Sequence, residues 1–422
     1  MPQSDFAQQR ETERRYLEPK TIASWLELSA AAYEANVGAF RALAGPGVRV
    51  GAVLKGNAYG HGLLETLELT HALVDVVYVI RPSEALAIRA WEKSRGAPSR
   101  DVLVIGAVSP EECLSLARAE VQAVVADASL AAAAPLLRAA NLTLQVHVHL
   151  DTGLGREGFT EAQLLAGDAD FLGAPGSPLL VRGLLSHFAN TEDVTEQEYA
   201  KVQLAAFAEG QRLLRERGLL GTAGATGPGS GNAGPGLERH FAASAAALVL
   251  PPARLDVLRV GISLYGLWPS PETRLSARVV LGLGQVPHLE PVLSWRAPSQ
   301  VVKWLKAGSY IGYGCTYRCS SDTRVAVFPV GYWDGYPRLA SGKAHVLVNG
   351  QRCPVLGRVM MNHLIADVTH ALAPGADGPV TATLLGRDGA ESITAETLAA
   401  WAQTIHYELV TRLGTHLERR VV

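Results

Sequence analysis

The chain reads as an α/β protein in two parts, an N-terminal (β/α)8 barrel of the TIM type followed by a mainly-β C-terminal domain. Three observations predict this. Short β-branched apolar runs alternate with helix-forming stretches through the first two-thirds of the 422 residues. The residues with chemical character fall at the C-terminal ends of those runs, where a barrel carries its site. After about residue 273 the long helices give way to strands, with Asn349-Gly350 as a strong hairpin signal.

The elements follow in order. The charged stretch from Gln8 to Arg15 precedes no apolar signal segment, so residues 1–20 are expected to be a flexible leader and the protein cytoplasmic. Barrel strands are predicted at residues 48–54, 76–80, 102–105, 123–126, 144–150, 181–186, 240–244 and 257–260. Helices are predicted between them at 65–73, 83–93, 110–119, 130–139 and 197–217. The Gly-dense segment 221–236, with Pro228 and Pro235, reads as a flexible loop before the seventh strand. It lacks the strand–loop–helix spacing of a phosphate-binding loop. The barrel is expected to run over 21–272 and the β domain over 273–422, with strands at 293–302, 325–330, 344–348 and 364–368 and one late helix at 394–402.

Composition excludes several classes. The chain is 48% hydrophobic and 18% charged with a formal net charge of −2, so no basic field points to nucleic acid. Its apolar runs are short and broken, and none spans a bilayer. Four cysteines fit reduced thiols. Cys315, Cys319 and Cys353 lack the spacing of a metal site, so no metal is expected and free thiols are.

The chemistry starts at Ala52-Val53-Leu54-Lys55-Gly56-Asn57-Ala58-Tyr59-Gly60-His61-Gly62. An apolar strand runs directly into a lysine and then a Gly/Asn-rich turn. A lysine at the dry end of a strand loses hydration, its pKa falls, and its free amine can form a Schiff base. Asp151 to Arg156 follow the fifth strand and His187 the sixth; Ser244 is at the seventh, and Arg259 with Gly261 at the eighth. Polar loops also begin at strand ends. Placement alone therefore leaves His187 open as a satisfied core histidine, Ser244 as a small residue at a helix start, and Tyr313 and Tyr317 as ordinary strand aromatics.

The lysine run resembles the pyridoxal-phosphate lysine motif of the alanine racemase family. Further runs resemble that family's motifs: Asp151-Thr152-Gly153-Leu154-Gly155-Arg156, Leu185-Ser186-His187-Phe188-Ala189 and Arg259-Val260-Gly261-Ile262-Ser263-Leu264-Tyr265-Gly266. So do Tyr313-Gly314-Cys315-Thr316-Tyr317, Gly331-Tyr332-Trp333-Asp334-Gly335-Tyr336 and Gly357-Arg358-Val359-Met360-Met361. The resemblance extends from Trp25 to about Arg412. It implies that residues 21–28 form a first strand packed with the β domain, so that the chain ends meet.

For the cofactor, pyridoxal 5'-phosphate, the resemblance implies Lys55 as the Schiff-base lysine and Tyr59, Ser244 and the amides of Gly261 and Ile262 around the phosphate. It places His187 on the ring and Arg259 at the pyridine nitrogen. Arginine only donates, so a ring facing it is a weaker electron sink than one facing a carboxylate. For the substrate, a small amino acid, it implies Arg156 and Met361 at the carboxylate and Tyr313 and Tyr332 at the pocket. Lys55 and Tyr317 would be the two bases, one for each face of the α-carbon. In the family this tyrosine comes from the partner subunit, which implies a homodimer with composite sites.

The implied activity is racemisation of L-alanine to D-alanine for peptidoglycan. The alternatives are a racemase of another amino acid such as serine, a decarboxylase or aldolase on the same barrel, or a non-catalytic cofactor-binding protein. The pattern departs from the family at His149, where many members carry a lysine whose carbamate holds the arginine. Either an imidazole or a bound anion then positions Arg156, or the arginine is looser. Ala243, Val260, Asn362 and Thr415 are lesser departures.

Overall fold

The computed structural model of the chain describes residues 23–220, 237–376 and 378–422. The expected leader and the Gly-dense segment 221–236 lie outside them. The chain forms two compact units. One comprises Ala31–Ala58 and Thr66–Glu290; the other comprises Tyr59–Glu65 and Pro291–Val422 with the described residues up to Ala30.

The first unit is the barrel. After β1 (Trp25–Leu28), which belongs to the other unit, come β2 (Arg49–Val53), β3 (Val76–Val79), β4 (Asp101–Val104), β5 (Gln122–Val125), β6 (Leu144–His149), β7 (Leu179–Leu185), β8 (Glu238–His240) and β9 (Val257–Val260). Strands β2 to β8 pair in sequence, all parallel, and β9 pairs with β2. Among the described residues, only the β8–β9 seam lacks a ladder. It is stitched by the Asp256 amide on the Arg239 carbonyl (3.1 Å), the Arg239 amide on Asp256 Oδ2 (2.8 Å) and the Arg259 amide on the Ala242 carbonyl (2.9 Å).

The strands are almost wholly buried apolar runs, as parallel strands covered on both faces must be. The seventh barrel strand lies at Glu238–His240 and not at the expected 240–244, and Ser244 opens the helix Ser244–Val249. Polar side chains hide this strand in the sequence: Glu238 pairs with Arg49 across the barrel, and Arg239 with Asp256. The segment up to Glu290 stays with the barrel, because Asn36 accepts from the Glu290 amide and donates to its carbonyl, both at 2.8 Å. The expected boundary at 272/273 falls inside a helix, Pro271–Leu281, that belongs to the barrel unit.

The second unit is mainly strands. β1 lies between Leu293–Pro298, antiparallel, and Glu418–Val421, parallel, so the two ends of the described chain share one sheet. A three-stranded sheet joins Val301–Leu305, Thr323–Phe328 and Leu364–Asp367. The single strand expected over 293–302 is thus two, broken after Pro298, which cannot donate to a ladder. Trp295, fully buried, packs against Tyr336 at 5.9 Å between ring centroids. The late helix is Ala395–Ala402, capped by the Thr394 hydroxyl.

Candidate active site

Lys55 follows Leu54 at the C-terminal end of β2, inside the mouth of the barrel. The next four residues turn left-handed, with φ of 64° at Gly56, 56° at Asn57, 54° at Ala58 and 52° at Tyr59. Three of these carry side chains, and each such residue costs roughly 1–2 kcal/mol in that region. The turn is held from both ends. The Ala58 amide donates to the Leu54 carbonyl (2.8 Å), and the Gly56 amide donates to Glu84 Oε1 (3.2 Å). Glu84 Oε2 also accepts from the amides of Ile80 and Arg81, so one carboxylate ties the β3 loop to the lysine turn. Backbone strain kept in place by its surroundings is a mark of functional segments. The Lys55 ammonium is pushed below its ordinary pKa, first by burial and then by the positive charges of Arg156 and Arg259.

Arg259, in β9, is the most enclosed cation of the barrel, 4% exposed. Its Nη1 donates to the carbonyl and to Nδ1 (3.1 Å) of His240. Its Nη2 donates to the carbonyls of Ser186 (2.6 Å) and Phe241 (3.2 Å), with His187 Nδ1 at 3.4 Å. Both terminal nitrogens are engaged, while Nε–H makes no hydrogen bond among the described residues. Burial brings its pKa down only to about 10, so it remains a cation at neutral pH. His187 and His240 are both held well below the ordinary imidazole value by burial and by Arg259. Two neutral rings therefore flank one charge.

Ser244 is buried, and its Oγ accepts from the Gly261 amide at 3.0 Å and lies 3.5 Å from the Ser263 amide. Ser244, Gly261 and Ile262 are thus neighbours at the β9 end.

Arg156 is half-exposed on the loop after β6. Asp151 Oδ1 shapes that loop by accepting from the amides of Gly153 and Gly155. His149, the last residue of β6, is buried; burial and the charges of Arg259 and Arg156 push its pKa down to about 3, and its Nδ1 has no hydrogen-bond partner. Glu157, which sequence reasoning missed, stands between them, with Oε2 3.7 Å from Arg156 Nη2 and 3.9 Å from His149 Nδ1. From behind, Gln203 on the helix Glu198–Glu216 donates to the His187 carbonyl (3.2 Å) and accepts from the Ala189 amide (3.0 Å).

The remaining candidates lie in the β unit. Tyr59 rests near Tyr407, their rings 6.3 Å apart. Tyr317 pairs in register with Ile311 and packs on the apolar cluster of Ile311, Cys319, Val325 and Leu356. Tyr332 and Met361 sit on loops clasped by the Tyr332 amide on the Met360 carbonyl and the Trp333 amide on the Met361 carbonyl, both 3.0 Å. A Cβ at Gly331 would lie 2.2 Å from both carbonyl oxygens, so only glycine permits the clasp. Tyr313 is 73% exposed, Met361 52% and Tyr332 44%. Among the described residues no group of three His, Cys, Asp or Glu is arranged to hold a metal, and no helix is long and apolar enough to cross a membrane.

Residues 28–269 match the family model of the alanine racemase N-terminal domain, and residues 292–421 that of the C-terminal domain. The alanine racemase of Leptospira interrogans serovar copenhageni is 35% identical over 404 residues, 95% of this chain and 96% of that one. The crystal structure of the Bacillus anthracis alanine racemase with bound L-Ala-P superposes with a TM-score of 0.82 at 30% identity, covering 96% of each chain. The histidine racemase of Leuconostoc mesenteroides subsp. sake superposes with a TM-score of 0.78 at 28% identity, over 96% of this chain and 99% of that one.

Proposed function

This chain belongs to the alanine racemase family and is an amino-acid racemase, and from that premise we propose that it interconverts L- and D-alanine on pyridoxal 5'-phosphate as a cytoplasmic homodimer supplying D-alanine for peptidoglycan. Arg259 carries the cofactor reading. Four of its guanidinium protons are spent on carbonyls and imidazoles, and its Nε–H is left for the acceptor nitrogen of an aromatic ring. Lys55, with its lowered pKa, fits an amine that bonds to an aldehyde. The Gly261 amide, held by Ser244, fits a donor that turns to a phosphate, with Ile262 beside it and Tyr59 as a further contact.

The bound cofactor supplies an electron-withdrawing ring that eases loss of the α-proton. The chain's own groups do the rest. Lys55 Nζ takes or returns the proton on one face of the α-carbon. Tyr317 Oη of the partner subunit does so on the other, because one base in a rigid site does not reach both faces. His187, neutral and 3.4 Å from Arg259 Nη2, would face the ring and relay part of the pull of that charge toward the tyrosine. Arg156 binds the substrate carboxylate, with the Met361 amide, and Tyr313 and Tyr332 narrow the pocket to a small side chain. Glu157 supplies the anion that orients Arg156 in place of a lysine carbamate, which His149 cannot form.

The test is a chiral assay of D-alanine formed from L-alanine by the purified protein with cofactor. Formation abolished in Lys55→Ala supports the reading. Because His149 alters the surroundings of Arg156, a panel of L-amino acids is run beside alanine, with serine and histidine in it. Equal or faster turnover of another member would overturn the alanine assignment.

A further inference from the structure

A line of hydrogen bonds, buried from Gln122 onward, runs from the floor of the barrel to Arg259. Asp101 opens β4 at the floor and pairs with Arg49, whose Nη2 lies 2.5 Å from its Oδ2. Gln122 opens β5 and donates from Nε2 to Asp101 Oδ1 at 3.2 Å. Its Oε1 faces His147 Nε2, in the middle of β6, at 2.7 Å. His147 Nδ1 faces His240 Nε2, at the end of β8, at 2.8 Å, and His240 Nδ1 faces Arg259 Nη1 at 3.1 Å.

The two ends of this line allow one proton arrangement. A guanidinium only donates, so His240 Nδ1 must be the bare nitrogen. His240 then carries its proton on Nε2 and donates to a bare His147 Nδ1. His147 in turn donates from Nε2 to the Gln122 carbonyl, and the Gln122 amide donates to Asp101, an acceptor-only carboxylate. The order is the same when read from Asp101. An extra proton on either ring would set two donors face to face. Burial opposes that proton as well, pushing His147 down to about 3.

The fold makes room for this line. A Cβ at Gly183 in β7 would lie 2.4 Å from His147 Nδ1 and 2.5 Å from the Glu238 carbonyl oxygen. The β6–β7 register also shifts between Val146 and His147. The barrel gives up a side chain and a regular ladder where the two rings meet, 4.9 Å between centroids and 74° apart.

We propose that Asp101, Gln122 and His147 are positioning residues for the racemase: they fix the tautomer of His240, which holds Arg259 by one terminal nitrogen and leaves its Nε–H aimed at the cofactor ring. The proposal rests on the cofactor reading above, but the proton arrangement is a property of the protein alone. It is read on the full chain labelled with 15N-histidine, by ring nitrogen–proton correlation. His147 and His240 should each be a single Nε2–H tautomer.

In Gln122→Leu, His147 Nε2–H loses its acceptor, and both rings can exchange together to Nδ1–H at the expense of the His240 bond to Arg259 Nη1, which keeps the His240 carbonyl alone, so both rings should show mixed tautomers. The kcat should fall about tenfold, about 1.4 kcal/mol of barrier, with the alanine KM unchanged. Gln122→Glu should recover activity as the pH falls and its protonated form again offers one donor and one acceptor. A wild-type His147 protonated on Nδ1 overturns the proposal, and this reading requires no variant to fold. An unchanged His240 tautomer with unchanged kcat in a folded Gln122→Leu also overturns it. A chain that racemises nothing yet shows both Nε2–H tautomers refutes the activity and leaves the positioning line standing.

Discussion

In the barrel unit Arg259 is 4% exposed and both its terminal nitrogens are engaged, whereas in the β unit Tyr313 is 73% exposed and Met361 52%. The barrel residues are ordered by side-chain hydrogen bonds in a dry interior. The β-unit residues are ordered by backbone: the clasp at Gly331, the Ile311–Tyr317 pairing, the left-handed turn at Gly314. A site half built on buried polar contacts is complete within one chain. One built on exposed loops is shaped in advance and leaves its side chains open, as the proposed composite site in a homodimer would require.

That contrast can be broken or sharpened. Removing the amine should have the largest effect: Lys55→Ala should lower racemisation at least ~10³-fold, the scale of a positioned proton-transfer group, as read by D-alanine formation. Tyr317→Phe should keep the cofactor's absorbance and lose ~10²- to 10³-fold in L-to-D turnover. If Tyr317→Phe and Lys55→Ala chains, mixed, regain activity in heterodimers, the composite site holds; if no mixture ever does, each chain is self-sufficient and the contrast fails. Gly183→Ala should cost the barrel about 1–3 kcal/mol by overpacking, seen as a lower urea midpoint.

The buried histidines add a pH signature. His147 and His149 have folded values pushed down to about 3 from an ordinary 6.5, so between those values the unfolded chain binds more protons. Stability should be full above about pH 6.5 and fall as the pH drops toward 3, by up to about 1.4 kcal/mol per pH unit for each ring. Denaturant melts at stepped pH check this, and a flat profile would refute burial in the neutral form. The smallest effect is expected at the rim. Glu157→Gln should raise the alanine KM roughly two- to fivefold with kcat held, as befits a half-exposed ion pair.

Most of the barrel was legible because each parallel strand is a short, covered apolar run. Glu238–His240 was not, since its polar residues serve partners on β2 and near β9 that no local pattern reveals. The helix Ala30–Ala44 and the strands Thr381–Asp388 and Glu418–Val421 went unread for a related reason: their burial depends on elements far away in sequence. In the site, Lys55, His187 and Arg259 stood out through motifs at strand ends. Gln122, His147 and Glu157 did not, because their partners lie 21 to 93 residues away or across a loop. A weak signal existed: His147 and His149 alternate within a buried strand, placing two imidazoles on one face.

Among the described residues, the strand Trp25–Leu28 finds its neighbours at Leu293–Pro298 and Glu418–Val421. During synthesis at roughly 5–20 residues per second, it leaves the ribosome early and stays unpaired while every barrel strand emerges and can close. The sheet of the β unit therefore gains its Glu418–Val421 strand long after Trp25–Leu28 is made, and a chain cut just before Glu418 would keep every barrel strand while that sheet stays open along Trp25–Leu28.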